Sequence, residues 1–139
     1  MAYHGTKSKF VTSTLTQGLR SSTPTAEKVC CYLEYLGAAA ALYLSPSIEY
    51  AAHPRYAEPI RWGAQWAQVV LQVRVNPRIL CSKMSGTLPG ALSNDPQLDS
   101  HFSNEELEWI ESHSGNAPHR LSRSDRQLHY ASVLRHAPL

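Results

Sequence analysis

The chain has 139 residues, of which 42% are hydrophobic and 17% are charged, and its formal net charge is +2. These values predict one globular domain with one core and argue against global disorder. The small net charge does not require a nucleic-acid partner, no apolar run reaches the roughly 20 residues that span a bilayer, and no secretory signal opens the chain. We therefore expect a monomer that works inside the cell, in the cytoplasm or nucleus, and away from membranes.

The cysteines and histidines do not follow a metal-binding or disulfide pattern. Cys30 and Cys31 are adjacent and Cys81 is distant, which is a poor disulfide framework, and no Cys-x-x-Cys is present. The histidines beyond His4 have no spacing typical of zinc ligands. We expect reduced thiols and no metal.

The first 40 residues predict a strand and two helices. The Tyr-His-Gly-Thr segment at positions 3–6 is interpreted as a short strand entering a turn, where Gly5 lets the backbone approach a ligand or another chain closely. Residues 7–17 carry apolar side chains at helical spacing and precede Gly18, a suitable C-terminal cap. Residues 26–36 predict a second helix, which Gly37 ends.

The segment Ala-Leu-Tyr-Leu-Ser-Pro-Ser-Ile-Glu-Tyr-Ala at positions 41–51 is the one around which the prediction is organised. It predicts a short apolar strand that runs into a Ser-Pro turn and restarts as a helix over 48–56, broken near Pro54. Side chains at the end of such a strand face open space, so this point is a natural place for a pocket.

Four predictions concern the chain from residue 66 onwards. Residues 66–75 alternate and predict a half-buried strand, with Gln68 and Val70 on one face and Val69 and Leu71 on the other. Residues 82–104 predict a long binding or mobile loop. Residues 106–110 predict a short strand with both glutamates on one face, and 127–134 predict one further element.

These segments occur in an order that resembles the ADP-ribosyltransferase superfamily, in its poly(ADP-ribose) polymerase-like branch, which uses a His-Tyr-Glu triad. The resemblance covers residues 3–110. It implies an α+β catalytic domain in which split, mostly antiparallel sheets surround a cleft for NAD. The divergent basic segment 111–139 either supplies further strands of the sheet or marks a truncated chain.

The resemblance also implies a role for each matching residue near the N-terminus. His4 would hydrogen-bond the adenosine ribose of NAD, and Gly5 would offer its backbone N–H and C=O to the nicotinamide carboxamide. Thr6 would line the ribose site. Tyr43 would be the triad tyrosine, which packs beside the nicotinamide and its ribose.

The remaining roles fall on the helix and on the late acidic segment. Ser47 would hold the carboxamide and Tyr50 would stack on the ring. Glu108 would be the catalytic glutamate and Glu106 the first member of a Glu-x-Glu pair, with Glu106 or Glu105 as the alternatives for catalysis. Nicotinamide leaves NAD as positive charge develops on the ribose, and a carboxylate that binds the adjacent 2′-hydroxyl stabilises that charge.

The implied activity is a glycosyltransferase reaction with NAD as co-substrate and no metal: transfer of one ADP-ribose unit to a protein or nucleic-acid acceptor. Two alternatives stay open. An RNA 2′-phosphotransferase shares the fold and NAD but depends on a second histidine and several arginines, for which Arg55, Arg61 and Arg74 could be counted. The fold could also persist as an inactive pseudoenzyme or interaction module.

Overall fold

The computed structural model describes residues 1–19, 41–75, 82–112 and 128–133. These ranges contain helices and antiparallel sheets, which confirms the predicted α+β class at that level. The predicted helix over 26–36 and the three cysteines lie outside the described residues. No helix within the described ranges is long and apolar enough to cross a membrane.

The described elements are mostly strands, with helical segments after the first and second strands and before the sixth. In chain order they are β1 (Ala2–Thr6), α1 (Ser8–Gln17), β2 (Ala41–Leu44), α2 (Ile48–Ala51), β3 (Ile60–Trp62), β4 (Gln65–Val73), β5 (Ser82–Met84), a 3-10 turn (Asn104–Glu106), β6 (Glu108–Ser112) and β7 (Leu128–Val133). The helix predicted over 7–17 is confirmed as α1, and the backbone N–H of Gly18 bonds to Thr14 O as a cap. The element predicted over 127–134 is confirmed as β7.

β4 is the centre of the first sheet, which consists of β1, β3, β4 and β7. β1 pairs with residues 69–73 of β4 and β7 with residues 68–73, so these two strands lie on opposite edges. β3 pairs with the first three residues of β4 through a hairpin in which Gly63 adopts φ 63°. Because β7 lies in the segment 111–139, that segment supplies a strand to the first sheet.

The second sheet consists of β2, β5 and β6, with β6 in the middle. An antiparallel bridge joins the two sheets: Tyr3 N donates to Ser45 O at 2.7 Å, and Ser45 N donates to Tyr3 O at 2.9 Å. Apolar side chains from both sheets then form a shared core. They are Ala2, Leu71 and Val73 from the first sheet, Leu42 and Leu44 from the second, and Leu19.

β4 is buried on both faces, whereas its alternation predicted one solvated face. Leu71 packs in the core between the sheets, and Val70 on the opposite face packs beneath Ala51 and Ala57. Gln68 is also buried, and its Nε2 donates to Ala52 O and Ala57 O at 2.6 Å each. A glutamine can occupy this position because the turns after α2 supply the carbonyls that its amide needs.

The helix predicted over 48–56 is wrong in its length. α2 ends at Ala51, and residues 52–57 form successive turns in which His53 O accepts from both Tyr56 N and Ala57 N. α2 lies so close to β1 that a Cβ on Gly5 would clash with the backbone oxygen of Ala51. Packing within the chain therefore requires this glycine.

The strand predicted over 106–110 is wrong at its start. Residues 104–106 form the 3-10 turn, and β6 begins at Glu108. Three consecutive polar residues follow Ser103 here, and such residues favour a turn over a strand. The segment predicted as one long loop contains β5 at its beginning, and its remainder is packed through Leu88, Ala91 and Phe102.

Candidate functional site

Glu108 is the first residue of β6, and its side chain is 4% exposed. Three hydroxyl groups surround its carboxylate, and all of them donate to the same oxygen, Oε1. The distances are 2.5 Å from Tyr50 Oη, 2.7 Å from Thr87 Oγ1 and 3.2 Å from Tyr56 Oη. We call these three residues the hydroxyl cluster.

The second carboxylate oxygen of Glu108 has a different environment. Within the described ranges, the only fully buried side-chain nitrogen or oxygen without a hydrogen-bond partner is Trp109 Nε1. None of the three hydroxyl bonds of the cluster reaches Glu108 Oε2. The three hydroxyls therefore hold the carboxylate through one of its two oxygens.

The two phenols of the hydroxyl cluster stay protonated over a wide pH range. Burial raises the pKa of Tyr50, and its hydrogen bond to Glu108 raises it further. Burial also raises the pKa of Tyr56. Both phenols therefore remain hydrogen-bond donors to the carboxylate at neutral pH.

Tyr43 and Glu108 lie on the same face of the second sheet. Tyr43 pairs directly with Ile110, which is two residues from Glu108 on β6, and side chains of this spacing share a face. Such diagonal neighbours on antiparallel strands have their Cα atoms about 7–8 Å apart. Leu42, Leu44 and Trp109 occupy the opposite face, in the core. The predicted tyrosine and glutamate are therefore brought together.

The backbone of Gly5 faces the notch where β1 and the segment after β2 separate. Tyr3 uses its N–H and C=O to bridge Ser45, so these groups point away from β4. Gly5 is two residues further along β1, and its N–H and C=O point to the same side. Among the described residues, neither group has a backbone partner outside the strand ladder. The notch therefore offers one donor and one acceptor.

His4 and Thr6 lie on the face of β1 opposite to the one on which Gly5 approaches α2. His4 Nδ1 is 2.9 Å from Tyr43 O, and since a carbonyl only accepts, this nitrogen carries the proton. His4 is half-buried, and its bond ties β1 to the strand that carries Tyr43. Thr6 is buried opposite Val69, so the structure does not bring its side chain to Glu108.

Ser47 and Tyr50 are less accessible than their predicted roles require. The Ser47 hydroxyl accepts from Tyr50 N at 3.1 Å as the cap of α2, and the residue is fully buried. Burial alone would raise the pKa of Asp99, but hydrogen bonds from Ser47 and His101 outweigh it and lower that pKa. Tyr50 is 2% exposed among Leu88, Ala91 and Leu107, so its ring is a packing element and its hydroxyl reaches the carboxylate.

Glu105 and Glu106 are both exposed on the 3-10 turn. Glu106 lies 3.6 Å from Lys83 Nζ in a solvent-exposed ion pair. The prediction that Glu106 shares a face with Glu108 is therefore wrong, because Glu106 is not part of β6. Of the three acidic residues considered, only Glu108 contacts the hydroxyl cluster.

Sequence reasoning missed Tyr56 and Thr87. Tyr56 follows Tyr50 by six residues across the turns after α2, and their ring centroids are 5.6 Å apart. Its half-buried ring is the more accessible of the two. Thr87 follows Gly86, which is buried against Ala91 and Tyr50; a Gly-Thr pair in a long loop was the one signal available.

In the described part of the chain, no three His, Cys, Asp or Glu side chains come together as a metal site would need. Comparison of the chain with protein-family models, with curated proteins and with solved structures gives no match. The functional argument therefore depends on the residues themselves.

Proposed function

We propose that this chain is an NAD-dependent ADP-ribosyltransferase that cleaves the nicotinamide–ribose bond and transfers one ADP-ribose unit to a protein or nucleic-acid acceptor. The observation that carries the proposal is the Glu108 carboxylate. It is buried, three hydroxyl groups hold it through Oε1, and it shares a sheet face with Tyr43.

This arrangement suits the charge that the reaction develops. When the C–N bond to nicotinamide breaks, its electron pair leaves with the nicotinamide nitrogen, and positive charge develops on the ribose. A fixed carboxylate oxygen that accepts a hydrogen bond from a ribose hydroxyl stabilises this charge without having to reorganise. The acceptor then bonds to the ribose carbon, and its proton passes to solvent or to the carboxylate.

The notch beside β1 is suited to bind the nicotinamide end of the substrate. A primary carboxamide such as that of nicotinamide has one acceptor oxygen and two donor protons, which match the N–H and C=O of Gly5. The half-buried ring of Tyr56, next to the carboxylate, offers an aromatic surface for a flat ring. In this proposal Tyr56 takes the stacking role expected of Tyr50, and Tyr50 supports Glu108.

The direct test is release of nicotinamide from NAD, measured by chromatography for the wild type and for Glu108→Gln. We expect the substitution to lower the rate by about 10²–10³-fold, since it removes a preorganised charge-stabilising group. Glu106→Gln is the matched control, because Glu106 is exposed and lies outside the hydroxyl cluster; its rate should match the wild type.

Two results would contradict the proposal. One is folded wild-type protein that releases no nicotinamide, and the other is equal release from wild type and Glu108→Gln. Calorimetric titration with NAD then separates a binding module from a chain that does not recognise the dinucleotide. An RNA that carries a 2′-phosphate, incubated with NAD, tests the phosphotransferase alternative by loss of that phosphate.

A further inference from the structure

Thr87 combines exposure with three hydrogen bonds into a buried polar network. Its side chain is exposed, yet it is flanked by the buried residues Gly86 and Leu88. Gly86 N donates to Asn104 O at 2.9 Å, and a Cβ on Gly86 would lie 2.6 Å from Ala91 O. The backbone on either side of Thr87 is therefore fixed by packing.

The three bonds of Thr87 run to different members of the site, and the longest, 3.4 Å, joins its Oγ1 to Tyr56 Oη. Its Oγ1 donates to Glu108 Oε1 at 2.7 Å, and its backbone N–H donates to Tyr50 Oη at 2.8 Å. A backbone N–H only donates, so Tyr50 Oη must accept this bond, and the single proton of the phenol is left for Glu108. Accepting a bond also polarises the phenol and makes it a better donor.

We propose that Thr87 is a positioning residue that fixes the orientation of the Glu108 carboxylate through Oε1. Its amide orients the Tyr50 proton and its hydroxyl also donates to the same oxygen, so the carboxylate cannot rotate without losing both bonds. This inference rests on the proposed function, because the orientation of the carboxylate matters for a substrate that binds to it.

The hydroxyl can be tested separately from the backbone. Thr87→Val keeps the shape of the side chain and the N–H but removes the donor to Glu108, whereas Thr87→Ser keeps the donor. Ser85→Ala is the matched control, since Ser85 Oγ bonds Ser93 Oγ at 2.8 Å in the same part of the chain and does not contact Glu108.

We expect Thr87→Val to lower kcat for nicotinamide release about 10–100-fold, because the variant loses a hydrogen bond to a charged group. KM should change by less than about threefold. Thr87→Ser should retain most of the wild-type kcat, and Ser85→Ala all of it. An unchanged kcat in Thr87→Val, or a Thr87→Ser variant as slow as Thr87→Val, would overturn the proposal.

A second readout does not depend on catalysis. The ¹³C resonance of the Glu108 carboxyl, assigned by its loss in Glu108→Gln, should shift in Thr87→Val and stay in place in Ser85→Ala. If the wild type released no nicotinamide, the proposed function would fail, and the resonance alone would decide on Thr87. An unchanged resonance in Thr87→Val would then overturn the placement of Thr87.

Discussion

Asn104 and Glu108 stand four positions apart and are both buried: Asn104 is the first residue of the 3-10 turn, and Glu108 is the first residue of β6. Among the described residues, the Asn104 side chain bonds to backbone groups: its Nδ2 donates to Leu92 O, Asp95 O and Pro96 O, and its Oδ1 accepts from Leu98 N. Within the same ranges, the Glu108 carboxylate accepts its bonds from side-chain hydroxyls, all through Oε1.

The difference separates a structural group from a chemical one. An amide whose partners are backbone groups fixes the path of a loop. A charged carboxylate that side-chain hydroxyls hold through one oxygen is oriented, and its second oxygen takes none of those bonds. Burial alone therefore does not identify the site, whereas the kind of partner does.

Asn104→Ala should produce the largest loss of stability. It removes the donors for three carbonyls and the acceptor for one amide in a buried position, so we expect the free energy of unfolding to fall by about 2–4 kcal/mol. Urea denaturation at constant slope measures this. Nicotinamide release per folded molecule should be preserved. A free energy of unfolding equal to that of the wild type would contradict the structural role given to Asn104.

Tyr50→Phe should lower the free energy of unfolding by less, about 1–2 kcal/mol, because Glu108 keeps two donors while the Thr87 N–H loses its acceptor. The pH dependence is diagnostic. The pKa of Tyr50 is raised in the folded state, so above about pH 10 the unfolded chain loses this proton first, and stability falls as pH rises.

Tyr50→Phe removes one contributor to this loss of stability at alkaline pH. The free energy of unfolding, measured by urea titration between about pH 8 and pH 11, should therefore fall less steeply in Tyr50→Phe than in wild type. Tyr56 keeps a raised pKa and leaves part of the slope in place. Identical slopes in the two proteins would contradict the role assigned to the Tyr50 proton.

Glu106→Gln should have the smallest effect on stability. The ion pair with Lys83 joins side chains that are 48% and 54% exposed, and such pairs contribute less than about 1 kcal/mol. We expect the midpoint of thermal unfolding to stay close to that of the wild type. A marked loss of stability would show that the outer side of the turn matters as much as the buried side.

The regular elements were the part of the fold that sequence could predict. The alternation of 66–75 predicted β4, and the helical spacing before Gly18 predicted α1. β3 and β5 were missed because three residues are too few to show a period. The burial of Gln68 depends on carbonyls from the turns after α2, which no local pattern reveals.

The candidate site divides in a similar way. The resemblance drew attention to Tyr43 and Glu108, which share a sheet face. It gave Tyr50 a stacking role that needs an accessible ring, and the alternation of 106–110 placed Glu106 on a strand, because neither burial nor the 3-10 turn can be read from spacing. Tyr56 and Thr87 reach Glu108 only through tertiary contacts, 52 and 21 positions apart in sequence.

The close approach of α2 to β1 has a consequence for tracing this chain through evolution. Because α2 itself forbids a side chain at position 5, any relative of this chain that keeps the same packing needs glycine there, with or without an activity. Retention of that glycine is therefore a sign of the fold. Under the proposed function, the hydroxyl at position 87 and the carboxylate at position 108 are instead the groups that selection for chemistry would retain.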